Sequence, residues 1–142
     1  MTQLILMLTL TFGWAMAHAG EYQTNQQTCH GFPRVPSLAT PKGVCIGLVA
    51  DQARVGWNFP RKILFDRGLA YIAAFGGWEK NRGQIWRLDL RDANNISAEK
   101  IFGGTDRTHG LRLDVDGKIY YADATAIYRF DPQNPADREV VI

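Results

Sequence analysis

Few residues in this chain have the type and spacing to do chemistry. His109 heads the run HGLRLDVDGKIYYA. An imidazole has an ordinary pKa near ~6.5, so it can accept a proton at neutral pH. A histidine at a strand entrance can equally be held by backbone and have no task. Asp114-Val115-Asp116-Gly117 opens like a calcium loop, but its twelfth position is Thr125 where such a loop needs a glutamate. Asp-Gly between two alternating runs is better explained as a hairpin turn. Phe75 to Gly83, FGGWEKNRG, sets Trp78 beside two glycines. It reads either as a wall of a ligand site or as a glycine-rich turn whose tryptophan packs on its own sheet, and the second reading is favoured. Cys29 and Cys45 are the only cysteines, with His30 next to the first.

The elements that must carry these residues repeat. Leu111, Leu113 and Val115 alternate with polar residues, Ile119–Ala122 follows the Asp-Gly turn, and Ile127–Phe130 makes a third strand. Residues 60–73, PRKILFDRGLAYIA, align with 109–122 without a gap at an offset of 49, matching Leu64 with Leu113, Gly68 with Gly117, Tyr71 with Tyr120 and Ala73 with Ala122. Ile85-Trp86-Arg87-Leu88-Asp89 matches Ile127-Tyr128-Arg129-Phe130-Asp131 at an offset of 42. Fourth strands are expected around Glu99–Phe102 and Glu139–Ile142. Four short strands repeated every ~40 to 50 residues is the period of a β-propeller blade. The expected fold is all-β: two four-stranded antiparallel meanders over 59–142, forming two blades of an incomplete propeller. Closed propellers use about four to eight blades, so the chain is either the N-terminal part of a longer protein or must pair with other copies.

A formal net charge of +2 and the absence of any basic run argue against nucleic acid and acidic membranes as partners. Residues 1–19 read as a signal peptide. Leu4 to Ala17 is uncharged and shorter than the ~18 residues of a membrane span, and it ends in small residues suited to cleavage. Its n-region lacks Lys and Arg. The chain is therefore expected to be exported, periplasmic or secreted, with no membrane contact beyond the cleaved signal. Export favours a disulfide between Cys29 and Cys45. Unpaired structural cysteines and metal ligation with His30 are the alternatives. Residues 20–58 read as an extended segment broken by Pro33, Pro36 and Pro41. Within it Gly43–Ala50 is a candidate buried strand that would close a ring. Asn95-Ile96-Ser97 fits a glycosylation sequon.

Phe32-Pro33-Arg34-Val35-Pro36, Gly43-Val44-Cys45-Ile46-Gly47-Leu48-Val49-Ala50, Phe59-Pro60-Arg61, Gly76-Gly77-Trp78, and His109 with Arg112-Leu113 and Lys118-Ile119-Tyr120-Tyr121 together resemble the N-terminal part of the soluble glucose/sorbosone dehydrogenase family. The resemblance covers about residues 29–142. It implies an exported six-bladed propeller that oxidises a small-molecule sugar with pyrroloquinoline quinone (PQQ) and calcium. It implies that His109 is the general base for the sugar hydroxyl and that a following Asp orients it. Asp123 is the nearest match, although it stands closer to Tyr121 than the family pattern has it. The residues that hold quinone and calcium are expected outside this chain, which alone would be inactive. Two other functions compete: a non-catalytic exported propeller that binds a partner or glycan, and a lactonase-like propeller hydrolase.

Overall fold

The computed structural model describes residues 22–23, 28–35 and 38–142. The expected signal peptide at 1–19 lies outside the described residues. The architecture is all-β and antiparallel. Four two-residue strands come first: β1 (Tyr22–Gln23) pairs with β4 (Thr40–Pro41), and β2 (Thr28–Cys29) pairs with β3 (Phe32–Pro33). A single turn of helix, α1 (Gln52–Val55), follows. The Asp51 carboxylate caps it by accepting from the Arg54 amide at 2.9 Å.

Two four-stranded meanders make up the rest. The first sheet runs β5 (Pro60–Asp66), β6 (Leu69–Ala74), β7 (Gly83–Asp89), β8 (Ser97–Thr105). The second runs β9 (Gly110–Leu113), β10 (Ile119–Ala122), β11 (Ile127–Asp131), β12 (Asn134–Val140). The fourth strands differ from expectation, and β12 starts five residues earlier than Glu139. The Asp131 carboxylate accepts from the Gln133 amide and tightens the turn to Pro132-Gln133, so pairing resumes at Asn134.

The two first hairpins turn differently. β5 and β6 are joined by Arg67-Gly68, both with positive φ, as a two-residue type I′ turn requires. In the second sheet Asp114 donates its amide to the Lys118 carbonyl, leaving a three-residue loop, Val115-Asp116-Gly117. The Asp114 and Asp116 carboxylates accept from the backbone of Val115 and Lys118, which is hairpin geometry.

Each sheet has two faces, because side chains alternate. On the front of the first sheet Leu64, Tyr71, Arg87 and Glu99 form one cross-strand row, and Ala73, Ile85 and Phe102 the next. This front packs on the rear of the second sheet, where Leu111, Ile119, Tyr121 and Phe130 are buried. Contact between the sheets runs through β5 and β6 against β9. Toward the later strands the gap is filled by larger groups. Phe102 meets Phe130 edge-on at 5.0 Å, and the Arg138 guanidinium sits 5.0 Å from the Tyr128 ring and donates to the Tyr121 hydroxyl at 2.8 Å. Burial pushes the Tyr121 phenol up to about 12, against the pull of Arg138.

The rear of the first sheet carries Ala70, Ile72, Ala74, Trp86 and Leu88, and residues 49–57 cover it with Val49, Ala50, Val55 and Trp57. Just before that cover, the Cys29–Cys45 disulfide ties the chain to the β2–β3 hairpin. The strand expected over 43–50 does not form. Gly43 turns the chain with φ +82°, and the segment makes one bridge, Gly47 to Arg34, with Val44 and Ile46 exposed. No closed sheet occurs among the described residues, and none of their helices is long and apolar enough to cross a membrane.

Candidate functional site

The first strands of both sheets begin at the same edge of the molecule, and His109 stands there. Its amide donates to the Ala122 carbonyl at 3.0 Å, which fixes it at the head of β9. Its ring is met edge-on by Phe75 at 4.9 Å. Phe75 is buried and central: Trp78 meets it edge-on at 5.2 Å, and the Arg61 guanidinium lies 5.3 Å from its centroid. Trp78 itself is 83% exposed. The edge thus presents an open indole, an imidazole and a guanidinium around one anchored phenyl ring.

Local sequence explains the arrangement. Phe75 and Gly76 donate their amides to the Phe59 and Asn58 carbonyls, pinning the start of the loop beside β5. Gly76 has φ +82°, and a Cβ there would lie 1.9 Å from the Arg82 carbonyl oxygen, so the loop closes only with glycine. Arg82 pairs with Glu79 at 2.5 Å across the loop. A shallow cavity of about 300 Å³ opens between Gly76, Gly77, Trp78, Glu79 and Arg82. The favoured expectation, a Trp78 packed into its own sheet, meets a more exposed ring than it supposed: one edge touches Phe75 and the rest faces solvent.

Asp123 stands at the same edge but is occupied by its own turn. Its carboxylate accepts from the Thr125 amide and hydroxyl and from the amides of Ala126 and Asp106. Partial burial raises this carboxyl, and donation from Thr125, Asp106 and Ala126 outweighs that effect, leaving it below its usual value. No hydrogen bond joins Asp123 to His109 among the described residues; the contact the His109 ring makes is with Phe75. The linker between the sheets is buried beside this turn. Asp106 pairs with Arg107 at 2.9 Å, and the Thr105 and Thr108 hydroxyls share a hydrogen bond. Sequence reasoning missed Phe75 and Arg61 as parts of the edge. Each is only a member of a short run in the sequence, FGGW and FPR, and nothing local says that the two meet.

Cys29 and Cys45 are bonded to each other, with Cα atoms 5.7 Å apart. His30 lies beside them, and Cys29, His30 and Cys45 are the one gathering of three candidate metal ligands among the described residues. With both sulfurs in the disulfide, no thiolate is left to bind a metal. The described residues hold no clustered carboxylates for calcium. Arg61 is the one cation packed on the Phe75 ring at this edge, too few for a tricarboxylate quinone. The residues present do not fit either group.

No family model matches the chain, no curated protein matches it, and no solved structure matches it.

Proposed function

We propose that this chain supplies two blades of an exported β-propeller, and that the edge built by Trp78, Phe75 and His109 binds a small sugar. The observation that carries the reading is the placement of an exposed indole and an imidazole edge-on to one ring, Phe75, at the edge where the first strands of both sheets begin. The flat indole suits the C–H face of a pyranose, and the His109 imidazole suits one of its hydroxyls. Fixed at a strand head, His109 then accepts the hydroxyl proton as general base. The blade reading rests on the wedge between the sheets, whose contact runs through β5, β6 and β9, and on the sequence period. Export is supported by the disulfide.

Resemblance to the glucose/sorbosone dehydrogenases supports oxidation of that sugar as the reaction of the complete protein. PQQ and calcium would then be held by residues outside those described here, and no step is derived through them. One observation favours a second reading, sugar binding without chemistry: Asp123, the residue matched to the orienting acid, is occupied by its own turn.

Calorimetric titration of the chain with aldoses tests the binding. Trp78→Ala is expected to weaken it at least about tenfold, the loss of about 1.4 kcal/mol; unchanged affinity would overturn the reading. In the complete, quinone-loaded protein, His109→Ala is expected to lower turnover by about 10² or more with quinone content intact. Turnover near the wild-type rate would remove His109 as the base.

A further inference from the structure

The first strands of the two sheets have equivalent heads, built differently. Lys62 pairs with Ala73 as Gly110 pairs with Ala122, so Arg61 stands before the first as His109 stands before the second. His109 enters its ladder regularly, through the amide bond to the Ala122 carbonyl. Arg61 does not. Pairing passes from Pro60–Ala74 directly to Lys62–Ala73, which leaves Arg61 as the extra residue of a β-bulge. A bulge bends its strand and re-aims the side chain it carries. The Arg61 guanidinium lies over the Phe75 ring, 5.3 Å from its centroid, and the His109 and Trp78 rings meet the same phenyl at 4.9 and 5.2 Å. The heads of both first strands thus converge on one ring, one offering a fixed cation and the other an imidazole.

Charge at this edge is unevenly used. Arg82 holds the Glu79 carboxylate, and Arg107 holds that of Asp106. The Asp123 carboxylate is taken up by the Thr125 hydroxyl and by backbone amides. Arg61 is exposed and has no carboxylate partner among the described residues. Packing over an aromatic face leaves the N–H fork of a guanidinium free to donate. Lys80, exposed in the loop that carries Trp78, has no carboxylate partner among the described residues either. The edge is therefore short of one anion beside an open indole.

We infer that Arg61 sets the specificity of this edge, and that its sugar carries a carboxylate: a hexuronate. The inference rests on the sugar site proposed above and deepens it. The guanidinium fork matches a carboxylate through two parallel N–H···O bonds. One guanidinium balances a carboxylate's single charge, whereas a phosphate monoester carries about −1.5 to −2 at neutral pH. In a hexuronate the carboxylate and the anomeric hydroxyl branch from the two carbons that flank the ring oxygen. Arg61 takes the carboxylate, His109 a hydroxyl, and Trp78 the C–H face of the ring.

Calorimetric titration of the chain with glucose, glucuronate and glucose 6-phosphate tests this. Glucuronate is expected to bind at least about tenfold more tightly than glucose, a difference of about 1.4 kcal/mol, and more tightly than the phosphate. The margin should shrink as salt is added, because the pair is open to solvent. Arg61→Gln, with its fold checked by circular dichroism, is expected to abolish the preference for glucuronate. Arg61→Lys keeps the charge and loses the fork, and is expected to retain part of it. Equal affinity for glucose and glucuronate in the wild type would overturn the inference without any variant. So would a preference that survives Arg61→Gln, or a phosphate bound more tightly than the uronate. The sugar site itself fails by a different sign: neither sugar binds, or Trp78→Ala leaves the affinity for both unchanged. Glucose bound through Trp78 with no preference for the acid would overturn this inference alone.

Discussion

The fronts of the two sheets carry Tyr, Arg, Glu, Ala and Ile at equivalent cross-strand positions, with Arg112 in the second where the first has Leu64, yet one is interior and the other is surface. Tyr71 is fully buried, and burial raises its phenol despite the pull of Arg87. Tyr120, its counterpart, is half-buried and accepts a hydrogen bond from Arg129. A tyrosine–arginine–glutamate row works in both settings because it is self-sufficient. Arginine and glutamate satisfy each other, and the arginine keeps a donor for whatever backbone carbonyl arrives. A face built this way stays soluble uncovered and leaves no unpaired charge when covered.

That comparison can be broken by mutation. Tyr71→Ala removes a large side chain from between the sheets and is expected to cost about 3 to 5 kcal/mol in urea unfolding of the dilute chain. Tyr120→Ala, at the equivalent position on the open face, is expected to cost under about 1 kcal/mol. Equal losses would mean that the two faces are not in different environments. Replacing both Cys29 and Cys45 by serine is expected to cost about 2 to 4 kcal/mol. Cys45 lies shortly before the segment over the rear of the first sheet, and the loss is expected to come with increased exposure of Trp57, read as a red shift in emission. A destabilised variant with Trp57 still buried would detach the disulfide from that segment.

The corresponding strand ends differ too. After β6 the chain makes the long open loop that carries Trp78, whereas after β10 Asp123 closes a short turn on itself. Asp123→Ala is expected to cost about 1 to 3 kcal/mol by leaving donors of that turn without an acceptor. Sugar affinity at the other loop should be unchanged; a parallel loss of affinity would restore Asp123 to the site. The smallest effect is electrostatic. Hydrogen bonds from Arg129 and Lys118 depress the Glu139 carboxyl to about 2. A depressed folded-state value adds stability above the unfolded pKa of ~4.3, and that stability is lost as pH falls through about 2. The acid loss in melting temperature should therefore be slightly smaller in Glu139→Gln than in the wild type, and an identical loss would dissolve the contribution of the row.

The repeat was legible in the sequence because cross-strand rows preserve residue type: Tyr71 with Tyr120, Ala73 with Ala122 and Arg87 with Arg129 do occupy equivalent places. The match of Leu64 with Leu113 did not survive, since Leu64 faces front and Leu113 rear. The cause is one extra residue in the second hairpin loop, which a gapless alignment cannot register and which flips every side chain before it. The failed strand at 43–50 has a different origin. Its apolar residues suited a buried strand, but the turn at Gly43 and the bond from Cys45 to Cys29 left it with one bridging partner. His109 was legible as the head of a strand. Its neighbour Phe75 was not, because that contact depends on how two sheets pack, and that is carried by no local pattern.

The proposed ligand edge is separate from the faces of the sheets. A two-dimensional NMR titration of the folded, dilute chain with glucose tests this most directly. Shifts are expected at the Trp78 indole N–H and the amides of Phe75 and His109, with Tyr120, Ile127 and Arg129 unmoved. Shifts centred on the Tyr120–Arg129 face, or none at the Trp78 edge at saturating sugar, would contradict it.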